Sequence, residues 1–176
     1  DYFDKRWIFE EAFRMPFIAR LPGQIPAGSS TDALCANIDF APTLLRAAEL
    51  PAQDAMQGKS FFNILNTGKQ PKNWRESVYY RYWMHRDGSH LCPAHYGVRT
   101  RTHKLICYYN DPLDQPGANG PADPIEWELF DLVADPLGLN NVWGDPAYQT
   151  TTAELLHELE RLQTQVGDKP FPDATA

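Results

Sequence analysis

The hydrophobic and polar positions of this chain fall into two regimes. Up to about residue 70 the apolar residues come in short runs at helical spacing, cut by Pro and Gly. Beyond it they alternate as strands do, until one long helical stripe closes the chain. Residues 4–13 predict a short helix, with Phe9 and Phe13 on one face and Lys5 and Arg6 set against Glu10 and Glu11. Pro16 biases Met15 away from the helical region and ends it. Phe17 to Leu21 is a candidate buried strand, closed by Pro22-Gly23. A second helix is expected from Asp39, with Asp39 as its cap, Pro42 in its first turn and Leu44, Leu45 and Ala48 as its apolar face. Gly58 to Leu65 predicts a third short helix, closed near Gly68.

The polar stretch from Thr67 to Asn73 is the internal boundary. After it, strands are expected at 78–83, 95–100, 104–109 and 127–132, the middle two joined as a hairpin through Arg101-Thr102-His103. Residues 110–124 hold four prolines and two glycines and must form a long loop, which in compact domains is usually functional or disordered. Thr151 to Val166 is the clearest helix. Leu155, Leu159, Leu162 and Val166 form one stripe that should cover a face of an antiparallel sheet. The expected organisation is therefore residues 1–70, a remnant of a larger α/β domain whose apolar faces are partly uncovered. Residues 73–166 then form a sheet-plus-helix subdomain, and 167–176 a loose tail.

Composition changes little in that picture and excludes several functions. The 176 residues are 43% apolar and 22% charged, enough for a real core. A net charge of −7 argues against nucleic acid as a partner. No apolar run approaches the roughly 20 residues of a membrane span. Cys35, Cys92 and Cys107 make neither a Cys-x-x-Cys pair nor a zinc spacing, and read as free or buried thiols. The chain opens on Asp1 rather than Met, which reads as a processed product or a fragment, so a missing signal peptide says nothing of compartment.

Candidate chemistry gathers in two places. Basic residues cluster at Lys5, Arg6, Arg14 and Arg20, and again at Arg99, Arg101 and Lys104, where they could surround an anion or lie on solvated faces. Arg14 is expected to pair with Glu10 or Glu11 across the helix-to-strand break. His85, His90 and His95 are interleaved with Tyr80, Tyr82, Trp83 and Tyr96, an aromatic and hydrogen-bonding mixture suited to a sugar ring. Loop histidines satisfied by backbone groups are the plainer reading of the same pattern. His95, His85 and Arg99 are the candidate substrate-binding residues. The histidine spacing is too irregular for a metal site, and Asp39 has no second carboxylate at ligand spacing, so no cofactor is expected on this chain. Trp127 and Trp143 are expected to pack rather than to bind.

Four stretches, taken in order, are similar to the C-terminal third of type I sulfatases of the alkaline-phosphatase superfamily: Asp4 to Gly23, Ile38 to Leu45, Tyr96 to Leu105, and Glu128 to Leu132 with Asp135-Pro136 and Asn140-Asn141. Gly58-Lys59-Ser60 adds a weaker match. The third stretch most resembles enzymes acting on glycosaminoglycan sugars. The family's paired aspartates, its Cys/Ser-x-Pro-x-Arg formylglycine motif and its Asp-His metal pair are absent, and Leu137-Gly138-Leu139 departs from its usual polar turn.

The resemblance implies an alkaline-phosphatase-like α/β fold and a place for Lys5 on the substrate sulfate. It implies calcium and formylglycine held upstream, in the remainder of the sulfatase chain, and a periplasmic or secreted enzyme whose active-site cleft this chain helps to wall. The chain alone should be inactive. The alternatives are a phosphonate or phosphodiester hydrolase of the same superfamily and a non-catalytic carbohydrate-binding domain.

Overall fold

The computed structural model describes residues 6–172. These divide into two units, one made of residues 6–15 with 77–172 and the other of residues 16–76.

In the first unit β1 (Ser77–Tyr82), β2 (His95–Thr100), β3 (His103–Tyr108) and β4 (Glu126–Asp131) form an antiparallel sheet in the order β1-β2-β3-β4. Neighbours in sequence are neighbours in the sheet, as short connections favour. Pairing sets Tyr79, Val98, Leu105 and Leu129 in one row across the sheet, and Arg81, Tyr96, Cys107 and Trp127 in the next. Both rows point to the same face, because alternate residues share a side. That face is covered by α4 (Gln149–Val166), which buries Leu155, Leu159 and Leu162 against it. The helix starts after a turn in which the Asp145 carboxylate accepts from the Ala147 amide at 2.9 Å. It stops at Gly167, whose φ of 75° is a conformation that glycine takes without strain.

The sheet has a second cover. Tyr80, Ile106, Tyr108 and Phe130 point the other way and pack under Trp7, Ile8 and Phe13. The helix expected over 4–13 is accordingly cut to α1 (Glu10–Phe13), since Ile8 is buried on the sheet and Phe9, just before α1, is extended. The first described residues thus belong with the sheet, not with 16–76. The tail expected from residue 167 is also held: Asp168 pairs with Arg81 at 2.6 Å, and Phe171 stacks on Tyr109 at 5.5 Å.

In the second unit α2 (Phe40–Ala47) and α3 (Phe62–Thr67) flank a buried ion pair. Asp39 makes no side-chain cap on α2. Its carboxylate is instead gripped by Arg75 and accepts the amides of Ala36 at 2.8 Å and Lys59 at 2.7 Å. A fully buried carboxylate needs such partners more than a helix end needs a cap. Phe17 to Leu21 is not a strand; Phe17 is 53% and Ile18 93% exposed. A strand needs an edge to pair with, and among the described residues 16–76 hold none. Leu44, on the expected apolar face of α2, is also exposed.

The stripe on α4 has a measurable cost. Leu159 is 3% exposed, so Leu159→Asp, which buries an unpaired charge, should lower unfolding free energy by about 3–4 kcal/mol. Val166 is 39% exposed, and Val166→Asp should stay within about 0.5 kcal/mol. Chemical denaturation of the two variants checks both.

Candidate functional site

The face of the sheet opposite α4 carries the unusual chemistry. Its first row runs Tyr82, His95, Tyr108. His95 lies in an aromatic nest, with ring centroids 5.4 Å from Tyr108, 5.7 Å from Tyr82, 5.9 Å from Tyr80 and 6.0 Å from Trp7. Its Nδ1 is 2.8 Å from the Pro93 carbonyl oxygen, so Nδ1 carries the proton. Burial pushes its pKa down to about 4, and it is neutral at physiological pH.

In the next row Gly97 lies under Ile8. The third row holds Arg99 and Lys104, both turned to Glu10. Arg99 Nη2 is 2.9 Å and Lys104 Nζ 3.5 Å from its carboxylate oxygens. Lys104 is fully buried and also lies over the Phe130 ring at 5.1 Å. Burial pushes the Glu10 pKa upward, but the charges of Arg99 and Lys104 outweigh it and hold Glu10 ionised. Burial draws the Lys104 pKa down against the pull of Glu10.

Beyond the end of β1 the chain turns into a loop built around Asp87. Its carboxylate accepts from Tyr82 Oη at 2.9 Å, from His90 Nδ1 at 2.9 Å and from the Ser89 and His90 amides, and it pairs with Arg6 Nε at 3.4 Å. His90 and Tyr82 hold its pKa well below the usual carboxylate range. This loop interlocks with the long loop after β3. Asn119 donates its amide to the His85 carbonyl at 2.8 Å, and Arg86 pairs with Asp123. Arg86, Leu91, Asn110, Leu113 and Asp114 all take positive φ here, strain that persists only where the surroundings over-determine it. His90 and Trp83 are exposed at the rim.

The family model described as N-sulphoglucosamine sulphohydrolase, C-terminal, matches residues 1–165. The chain belongs to this sulfatase family. It is 41% identical over 95% of its length to the N-acetylglucosamine-6-O-sulfatase of Bacteroides thetaiotaomicron, of which it covers 28%. It superposes on the solved structure of BT4656 in complex with its substrate D-glucosamine-2-N,6-O-disulfate with a TM-score of 0.85 at 38% identity. That match covers 98% of this chain and 32% of the other. A phosphonate monoester hydrolase from Silicibacter pomeroyi shares the fold, with a TM-score of 0.60 at 24% identity over 83% of this chain and 28% of that one. The chain therefore spans about 30% of the length of such relatives. The antiparallel sheet with its terminal helix is the C-terminal subdomain of an alkaline-phosphatase-like sulfatase fold.

Three of the four sequence-predicted residues lie among the described ones. Lys5 lies outside the described residues. His95 and Arg99 come together on one face of β2, and both hold residues 6–10. His85 lies apart, in the loop that follows β1; its Nδ1 accepts from the Ala94 amide at 3.2 Å, and burial lowers its pKa. Both imidazoles have 0% exposure. Glu10, Asp87 and Lys104 were not singled out as a set by sequence reasoning. A lysine inside the apolar run Leu105-Ile106-Cys107 was the available signal, because a buried ammonium requires a carboxylate. Arg14, expected to pair with Glu10 or Glu11, is exposed, and Glu10 has turned toward the sheet. Trp127 and Trp143 stack on each other at 5.0 Å. A calcium ion takes six or more oxygens. No group of three or more His, Cys, Asp or Glu among the described residues could hold a metal. No helix among them is long and apolar enough to cross a membrane.

The depressed pKa of His95 makes a signed prediction. The unfolded state takes up a proton near pH 6.5, the folded state only near 4. Stability is therefore complete above 6.5 and falls by up to ~3 kcal/mol as pH drops toward 4. Urea midpoints of His95→Gln should show a shallower decline over that window than the parent. An unchanged slope would contradict it.

Proposed function

We propose that this chain forms the C-terminal wall of the active-site cleft of a sulfatase that hydrolyses sulfate esters of an amino sugar of the glucosamine type. The observation that carries this is the 41% identity, along almost the whole chain, to an N-acetylglucosamine-6-O-sulfatase. The likeness to BT4656 with its bound disulfated glucosamine supports the same substrate class. Lys5 would contact the sulfate, its compact ammonium suiting a tetrahedral anion. His85 would back the loop whose rim faces the sugar. His95, which is buried among rings, and Arg99, which is ion-paired to Glu10, would support the site rather than touch the substrate.

Calcium and formylglycine would belong to a preceding part of the polypeptide; of the carboxylates on this chain, Asp39, Glu10 and Asp87 are already paired with Arg75, Arg99 and Arg6. That preceding part is also the fitting cover for Met15, Phe17, Ile18, Ile38, Leu44 and Leu50, which are large, apolar and more than half exposed. A periplasmic or secreted location suits a polymeric sulfated substrate. The shared fold with a phosphonate monoester hydrolase favours one second reading, hydrolysis of phosphonate esters.

Incubating the complete polypeptide with N-acetylglucosamine-6-O-sulfate and with an aryl phosphonate separates the two. Sulfate release well above phosphonate release is expected; the reverse order would replace the first reading by the second. Glycan binding without any turnover would point to a carbohydrate-binding domain instead. In the complete enzyme Lys5→Ala should lower turnover about 100- to 1000-fold with the fold intact by circular dichroism. The 176-residue chain alone, whose sequence holds no Cys/Ser-x-Pro-x-Arg formylglycine motif, should release no sulfate.

A further inference from the structure

The loop after β1 and the long loop after β3 are tied together through His85 and Arg86. The His85 carbonyl accepts from the Asn119 amide at 2.8 Å, the Arg86 carbonyl accepts from Asn119 Nδ2 at 3.4 Å, and the Arg86 guanidinium pairs with Asp123. At the other end of the first loop, the Ala94 carbonyl accepts from the Asn110 amide at 3.2 Å. Arg86, Leu91, Asn110, Leu113 and Asp114 hold positive φ in these loops, so the closed arrangement carries backbone strain that opening relieves. Such segments open locally while the strands behind them stay shut.

The His85 side chain lies inside this joint with no solvent exposure. Its Nδ1 accepts from the Ala94 amide at 3.2 Å, which fixes the proton on Nε2. Nε2 is enclosed with the Pro121 carbonyl of the long loop beside it, and makes no hydrogen bond of normal geometry among the described residues. A second proton has only Nδ1 to go to. There it meets the Ala94 N–H head-on, takes away that amide's acceptor and leaves a cation out of reach of water. Burial draws the His85 pKa down, and Arg86 of its own loop adds to that; Asp123 and Asp111 of the long loop pull the other way and are outweighed.

We infer that His85 is an acid-operated staple: as a neutral imidazole it keeps the two loops joined, and as an imidazolium it releases them. Once released, the ring titrates at its ordinary value of 6.5, so acid draws the joint open and neutral pH closes it. His90 is exposed on the first of these loops, so what the rim presents to a ligand changes with acidity. The release needs no substrate and no residue outside the two loops. A polypeptide that cleaves no sulfate ester would overturn the proposed function and leave the staple standing.

The test is hydrogen exchange of the complete polypeptide, read by mass spectrometry and corrected for the intrinsic pH dependence of exchange. Peptides over residues 83–94 and 110–124 should exchange about 10- to 25-fold faster at about pH 5 than at about pH 7. A peptide over β3 should change by less than about twofold. His85→Asn keeps a neutral acceptor where Nδ1 stands and has nothing to titrate, so it should abolish the rise. His95→Gln should leave it in place, because His95 takes up its proton only near 4. The parent alone gives a second reading that needs no variant to fold. Exchange of the imidazole C2 hydrogen reports the titration of each histidine, and His85 should show a midpoint below 6.5. Loops that do not respond to acid, a rise that persists in His85→Asn, a rise shared by β3, or a His85 midpoint at or above 6.5 would each overturn the staple.

Discussion

The buried cluster of Glu10, Arg99 and Lys104 is the constraint on which the sheet unit depends. Lys104 is 1% exposed and points away from α4, into a face otherwise lined by Ile106, Tyr108 and Phe130. An ammonium there is tolerable only with a carboxylate against it, and breaking such a pair costs about 3–5 kcal/mol. Glu10 is that carboxylate, and it arrives from the other end of the chain. Burying Ile8 alongside adds about 2–3 kcal/mol. The two together hold a segment without its own secondary structure, and they make the sheet a three-layer object with α4 on one side and residues 6–13 on the other.

This explains which parts of the fold were legible in the residues. The four strands and the hairpin through residues 101–103 show in the alternation and the turn chemistry, and the leucine stripe of α4 has one physical meaning at that spacing. The second cover does not show. Trp7-Ile8-Phe9 followed by Glu10-Glu11 reads as a helix, because Phe9 and Phe13 match at helical spacing. Only the sheet's demand for Ile8 pulls the run extended and delays the helix to Glu10. Asp39 is a parallel case. Locally it is a good cap, but Arg75, 36 residues on, claims its carboxylate. At both positions a long-range contact defeats the local pattern, apolar burial for Ile8 and charge pairing for Asp39.

The same physics separates the candidate site residues. The mixture of histidines and tyrosines was visible in the sequence, but not that two of the histidines are wholly enclosed. His95 is neutral, its tautomer fixed by Pro93, and serves as a flat apolar surface among rings. His90, not among the candidate substrate-binding residues, is the exposed one, tied to Asp87 and so to Arg6. The sulfatase C-terminal subdomain thus puts its polar rim on the interlocked loops after β1 and β3, and its rigidity in the strands behind them. Strained backbone at Arg86, Leu91 and Asn110 lies in those loops.

The most direct measurement is a crystal structure of the complete polypeptide with a 6-O-sulfated glucosamine bound. The account predicts the sulfate within hydrogen-bond distance of Lys5 Nζ, Glu10 still paired with Arg99 and Lys104, and His95 out of contact with the sugar. A sulfate bound away from Lys5, or Glu10 released from Arg99 with the sugar resting on His95, would contradict it.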